Sequence, residues 1–102
     1  MRPRHKFNAT ACESEDGLRF DSKRERARYV ELKRLEKAGE VVMILRQVPF
    51  DLPGRTKYRC DFVVFWLSGS VTVEDVKGVK TEVYKLKKRQ VEELYPVEIV
   101  EI

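Results

Sequence analysis

Asp61-Phe62-Val63-Val64-Phe65-Trp66-Leu67-Ser68-Gly69-Ser70-Val71-Thr72-Val73-Glu74-Asp75-Val76-Lys77-Gly78 is the stretch that decides the fold. β-branched and aromatic residues fill both ends, and Ser68-Gly69-Ser70 has turn composition. This predicts two antiparallel strands, Tyr58–Leu67 and Val71–Lys77, joined by a tight connection. The first is apolar on both faces, which predicts a central place in a sheet. Side chains alternate along a strand. Asp61 therefore shares a face with Val63, Phe65 and Leu67, and Asp75 and Lys77 share one with Val71 and Val73, while Glu74 points the other way. A connection over residues 68–70 pairs Leu67 with Val71, Phe65 with Val73, Val63 with Asp75, and Asp61 with Lys77. Asp61 and Asp75 are then diagonal neighbours on one face. An even-length connection would set them on opposite faces.

Working outward, residues 1–8 are basic and little patterned, and read as an arm. Asp16-Gly17 is a hairpin turn signal inside Ala11–Phe20. Ser22-Lys23-Arg24-Glu25 has the capping-box form and opens a helix whose apolar stripe is Ala27, Val30, Leu35 and Ala38, widened by Tyr29 and Leu32; Gly39 ends it. Val41–Val48 reads as a strand stopped or placed at an edge by Pro49, followed by a turn at Leu52-Pro53-Gly54-Arg55. After the central hairpin, a helix from Thr81 to Tyr95 carries Val83, Leu86 and Leu94 as core positions, Pro96 stops it, and Val97–Ile102 is a last strand. The order predicts a single α/β domain over 1–102, a mixed central sheet flanked by helices with an N-terminal hairpin.

Composition narrows the chemistry. The chain has 102 residues, 42% of them apolar, enough for one core and too many for a disordered chain. Its net charge of +4 and pI of about 9.2 favour a polyanionic partner. His5 is the only histidine, and Cys12 and Cys60 form no metal-ligand or redox spacing, so cysteine–histidine and serine–histidine catalysis and zinc binding drop out. No segment reads as a signal peptide or a membrane span, which predicts a cytoplasmic protein with reduced thiols and no membrane partner.

Asp61, Asp75 and Lys77 on one face have no use in folding, because buried ionic groups are costly to desolvate. Two close carboxylates repel unless a cation intervenes. Oxygen donors suit Mg²⁺, with Mn²⁺ as a substitute, and the carbonyl of Val76 could complete the protein's share. The metal would polarise a phosphate oxygen and acidify a bound water, with Lys77 holding the hydroxide or neutralising developing charge. The plain alternative for an Asp-x-Lys tripeptide is a strand-surface ion pair. The parity match, Asp61 upstream, the Gly78 exit and the basic helix behind it favour catalysis.

These residues resemble the PD-(D/E)XK nuclease superfamily, in which a helix acid, an Asp and an (Asp/Glu)-x-Lys hairpin make one centre. Phe20-Asp21-Ser22-Lys23, Glu25, Arg28-Tyr29, Glu31-Leu32-Lys33, Gln47 with Phe50, Asp61-Phe62, Val73 to Gly78, Lys80-Thr81, Val83-Tyr84 and Leu86-Lys87 are similar to a small phage-encoded Holliday-junction resolvase family within it, formerly a domain of unknown function. The resemblance covers the chain from about Phe7 onward. It implies a restriction-endonuclease-like core and metal-dependent cutting of branched DNA by paired symmetric nicks. It also implies a homodimer, working in the cytoplasm of an infected bacterial host. By this resemblance Glu25, Asp61, Asp75 and Lys77 are catalytic, with Glu25, Asp61 and Asp75 on the metal and no organic cofactor. The rival readings are a related nuclease acting on replication or packaging intermediates, and a non-catalytic DNA-binding recombination accessory protein.

Glu25 is also the N3 residue of the capping box, and Glu31, semi-buried by spacing, is the substitute helix acid. Lys80, Lys85, Lys87, Lys88 and Arg89 form a basic run directly behind the motif, suited to DNA phosphates with a steep salt dependence. Its plain alternative is a solvated helix face.

Overall fold

In a computed structural model the described residues are 12–13 and 17–102; the basic arm and Asp16 lie outside them. A short antiparallel pair, β1 (Cys12–Glu13) and β2 (Arg19–Phe20), sets Cys12 opposite Phe20. Helix α1 (Lys23–Lys37) starts where the Ser22 hydroxyl accepts the Glu25 N–H at 3.1 Å. It ends at Gly39, whose φ of 83° lets the Gly39 and Glu40 N–H groups close onto the carbonyls of Glu36 and Leu35, the paired closure that caps orphan carbonyls. Then follow β3 (Val41–Leu52), β4 (Thr56–Trp66), β5 (Val71–Asp75), α2 (Glu82–Leu94) and β6 (Ile99–Glu101).

The sheet order is β3-β4-β5-β6. The first three strands are antiparallel, and β6 is parallel to β5, so α2 is the crossover between them. The fold is mixed α/β, a four-stranded mixed sheet flanked by helices, with β4 central as its two apolar faces require. Four expectations need correction. First, of the two readings of Pro49 the edge placement holds and the stop does not: β3 is an edge strand that runs on to Leu52, with Pro49 opposite Arg59. An edge strand tolerates proline where the missing N–H faces the open side. Second, β5 ends at Asp75, leaving Lys77 beyond the strand, and β6 is confined to Ile99–Glu101. Third, Val83, Leu86 and Leu94 are exposed; α2 buries Tyr84 and Val91 instead. Fourth, Ala27, Val30 and Ala38 of the expected α1 stripe are exposed and Leu35 is only partly buried; Tyr29 and Leu32, read as its margin, are the core positions.

Two cores sandwich the sheet. Phe20, Tyr29, Leu32, Val41, Phe62 and Val64 pack under α1. Leu52, Tyr58, Cys60, Val63, Val73, Tyr84, Val91 and Ile99 pack under α2. The β3–β4 ribbon changes layers midway. Ile44, Phe62 and Val64 belong to the α1 layer, yet Val48, Phe50, Tyr58 and Cys60, of the same parity, belong to the α2 layer. The change falls at Gln47 and Asp61. Arg46–Phe62 and Val48–Cys60 are paired on either side, while Gln47 has a left-handed φ of 53°. Both cysteines are free. No helix among the described residues is long and apolar enough to cross a membrane.

Candidate functional site

The site forms where β4 and β5 part. Their register sets Phe65 opposite Val71 and Phe62 opposite Glu74. Continued by one residue, it puts Asp61 directly opposite Asp75, not diagonal to it. The connection is still odd in length, so both acids keep one side, but it lies one place earlier than expected: Trp66 N–H bonds the Ser70 carbonyl and Gly69 N–H bonds the Trp66 carbonyl, each at 2.9 Å. Gly69, at φ 95°, takes the left-handed last position of a three-residue loop, which fixes this placement. Beyond the last pair, the Val76 N–H has lost its ladder and donates to Asp61 Oδ2 at 2.8 Å.

Four elements converge there. Asp75, at the end of β5, is fully buried. The Tyr58 hydroxyl, from β4, donates to its Oδ2. Its Oδ1 is buried without a hydrogen-bond partner among the described residues, and Lys77 Nζ stands 3.4 Å away as an ion pair. Lys77 Nζ also lies 5.1 Å from the centroid of the Tyr84 ring, which holds the ammonium by cation–π attraction. Glu25, one turn into α1, is buried, and its carboxylate accepts from Gln47 Nε2 at 3.0 Å. The same nitrogen donates to Asp61 Oδ1 at 3.2 Å. Arg46 stacks over Phe20 at 4.1 Å and approaches Glu25 to 3.9 Å. The electrostatics follow from this crowding. Burial first, then the facing Asp61 carboxyl, pushes Asp75 up to about 7 against the opposing pull of Tyr58 and Lys77. Burial first, then Asp61, pushes Glu25 up to about 7 against Arg46 and Gln47. Burial and Asp75 keep the Tyr58 phenol protonated, so it is a donor.

Of the residues expected from sequence, Asp61, Asp75 and Lys77 are brought together, and Glu25 joins them through Gln47. Only the Ser22 half of the capping box is seen, on the Glu25 N–H, while the Glu25 carboxylate accepts from Gln47 on the side of the acids. Glu31 is not semi-buried; its side chain is half exposed and paired with Arg28. Glu74 is buried in the other layer, where Arg28 Nε and Nη2 grip its two oxygens at 2.7 Å each. The basic run is divided. Lys80 and Lys88 approach Glu101 to 3.2 and 3.7 Å, Lys87 donates to the Lys57 carbonyl at 3.0 Å, Lys85 pairs with Glu82, and Arg89 is exposed. Glu101 lies opposite Asp75 across the parallel pair and accepts the Tyr84 hydroxyl at 2.8 Å. Tyr58, Arg46 and Glu101 are additions that the sequence reading missed, and Gln47 entered it only as a matched residue. A polar Arg46-Gln47 pair inside the apolar Val41–Val48 run is the one signal that pointed there.

The donors are carboxylate oxygens, with no thiol or imidazole among them. Among the described residues no three acids, cysteines or histidines surround one point closely enough to enclose an ion. A partly hydrated Mg²⁺ does not need such a cage, since one or two carboxylates plus substrate phosphate suffice. Asp75 Oδ1, which has no hydrogen bond among the described residues, on a residue set opposite Asp61, fits that requirement. Asp75 and Asp61 are the residues to hold it, while the Gln47 amide stands between Glu25 and Asp61.

A family model described as "Protein of unknown function (DUF1064)" matches residues 4–100. No curated protein and no solved structure matches.

Proposed function

The chain belongs to the DUF1064 family, and from the site it carries we propose that it is a Mg²⁺-dependent endonuclease that hydrolyses phosphodiester bonds in branched DNA. The observation that carries this reading is Asp75: a fully buried carboxylate beside Asp61, with one oxygen tied to Tyr58 and the other without a hydrogen bond among the described residues, facing only the Lys77 ammonium at 3.4 Å. An ion pair alone, without a hydrogen bond, offsets only part of the desolvation cost of such an oxygen. Bound Mg²⁺ would supply Lewis-acid polarisation and a more acidic water, and Mn²⁺ would substitute for it. Tyr58 fixes the carboxylate by Oδ2, leaving Oδ1 toward Lys77. The Lys77 ammonium, held by Asp75 and the Tyr84 face, neutralises charge developing on the phosphate. Lys80 and Lys88 flank the same end of the sheet and grip neighbouring phosphates, with Lys85, Lys87 and Arg89 extending the basic face.

The four-stranded sheet, with its helix acid, hairpin acids and lysine, is read as a restriction-endonuclease-like core. Preference for four-way junctions, paired nicking by a homodimer and work in an infected bacterial cytoplasm rest on the resemblance to phage resolvases alone. One experiment tests the reading: cleavage of four-way, flap and linear duplex DNA with Mg²⁺ or EDTA, by the wild type and by Lys77→Ala. Mg²⁺-dependent cutting that favours the junction and is lost in the variant supports it. Equal cutting of all three substrates removes the junction preference. Cutting that survives EDTA, or no cutting with DNA binding retained, overturns the enzyme.

A further inference from the structure

We propose that Gln47 is a positioning residue, whose single side-chain amide sets the separation and orientation of Glu25 and Asp61 for cation binding. The inference rests on the nuclease reading for its purpose but not for its geometry.

Gln47 Nε2 has two hydrogens, and the structure uses both: one toward Glu25 Oε2 at 3.0 Å on α1, one toward Asp61 Oδ1 at 3.2 Å on β4. Both partners are acids in an electronegative pocket, so the amide nitrogen, not its oxygen, must face them. The choice of a neutral donor matters. A lysine here would act as the counter-ion itself, and a glutamate would add a third repulsion. An amide ties two carboxylates together and leaves their charge available to a hard cation.

The backbone argues the same way. Gln47 sits at φ 53°, a conformation that disfavours residues with a Cβ. The position lies where the β3–β4 ribbon changes layers, between the Arg46–Phe62 and Val48–Cys60 pairs. Glycine would meet the backbone demand without strain. The strain of keeping a long polar side chain there is compensated by what that side chain does.

The test uses Gln47→Gly, which relaxes the backbone and deletes the amide, and Gln47→Asn, which tolerates the left-handed backbone but is one methylene too short to span both acids. Mn²⁺ affinity is measured by calorimetry on the protein alone, beside Tm and the kcat and KM of junction cleavage. The expected result for both variants is Tm at or near the wild type, KM unchanged, and Mn²⁺ affinity and kcat reduced about 10- to 100-fold, the usual loss when a group orienting a ligand is removed. If the glycine variant does not fold, the asparagine variant decides. Wild-type Mn²⁺ affinity in a folded variant overturns the proposal, as does a fall in Tm with affinity intact, which is a structural role only. Asp75→Asn run alongside separates the two readings. If it cuts like the wild type, the assignment of Asp75 falls, while the Mn²⁺ titration of the Gln47 variants still decides the positioning role. A wild-type chain that binds no Mn²⁺ overturns both.

Discussion

Glu74 and Asp75 are adjacent, buried and both acidic, yet one stabilises the fold and the other burdens it. Glu74 is matched by two hydrogen bonds from Arg28 and a third from Thr72. Removing it leaves Nε and Nη2 of a largely buried guanidinium unmatched, with only the half-exposed Glu31 still paired, so Glu74→Ala should lose about 3 kcal/mol in urea unfolding. Asp75 has a hydrogen bond to one oxygen only, and the Lys77 ammonium at 3.4 Å from the other. Asp75→Asn should leave Tm unchanged or higher, abolish strand cleavage, and bind DNA at least as tightly, since one negative charge facing phosphate is gone. A gel-shift and a cleavage assay on the same preparation check both halves. Lys77→Ala should reduce kcat about 100- to 1,000-fold, the scale of one lost transition-state charge contact. Parity along the strand was enough to distinguish the two acids from sequence. The Tyr58 contact was not legible, because it spans seventeen residues of chain and depends on where β5 ends.

At the scale of the elements, local chemistry was readable and tertiary orientation was not. Ser22 and Thr81 cap the two helices as their sequences predict, each accepting an N–H three residues on at 3.1 Å. The turn between β4 and β5 was placed one residue late. Its three residues are 67–69, not 68–70, because only Gly69 takes the left-handed position without cost. That signal was in the sequence and would have given the direct Asp61–Asp75 pairing. Nothing would meet a Cβ at Gly69, so Gly69→Ala should cost only the backbone term, about 1 kcal/mol, measurable by thermal unfolding. Helix α2 misled for a different reason. Val83, Leu86 and Leu94 lie at helical spacing, but Tyr84 and Val91, rotated from them, found the core and the Glu101 partner. Apolar spacing states that a helix is amphipathic; which stripe turns inward depends on what waits for it. The rotation at Gln47 broke strand parity, which no period-two reading anticipates.

For the molecule as a whole, the raised acids couple folding to protons and cations. Glu25 and Asp75 rise from the ordinary carboxylate range to about 7 in the fold. Between those limits the native state holds more protons than the unfolded chain, so stability falls as pH rises through the window and is lowest above it. Glu101, lowered by Tyr84 and Lys80, acts in the opposite sense but is solvent-screened. In EDTA, Tm should therefore decline from pH 5 to pH 8. Mg²⁺ should raise Tm at pH 8 and have little effect at pH 5, where protons occupy the carboxylates. Differential scanning calorimetry at the two pH values checks it, and a Tm that rises with pH in EDTA would contradict the burial of these acids.

The same half-turn in the ribbon has a mechanical consequence. One continuous pair of strands is stitched through both hydrophobic layers, so neither helix can peel away without loosening the packing of the other. Cys60, sealed in beside the crossing with its thiol pushed up to about 11 by burial, becomes a built-in clock: its alkylation should keep time with unfolding of the entire chain, not with the breathing of either half.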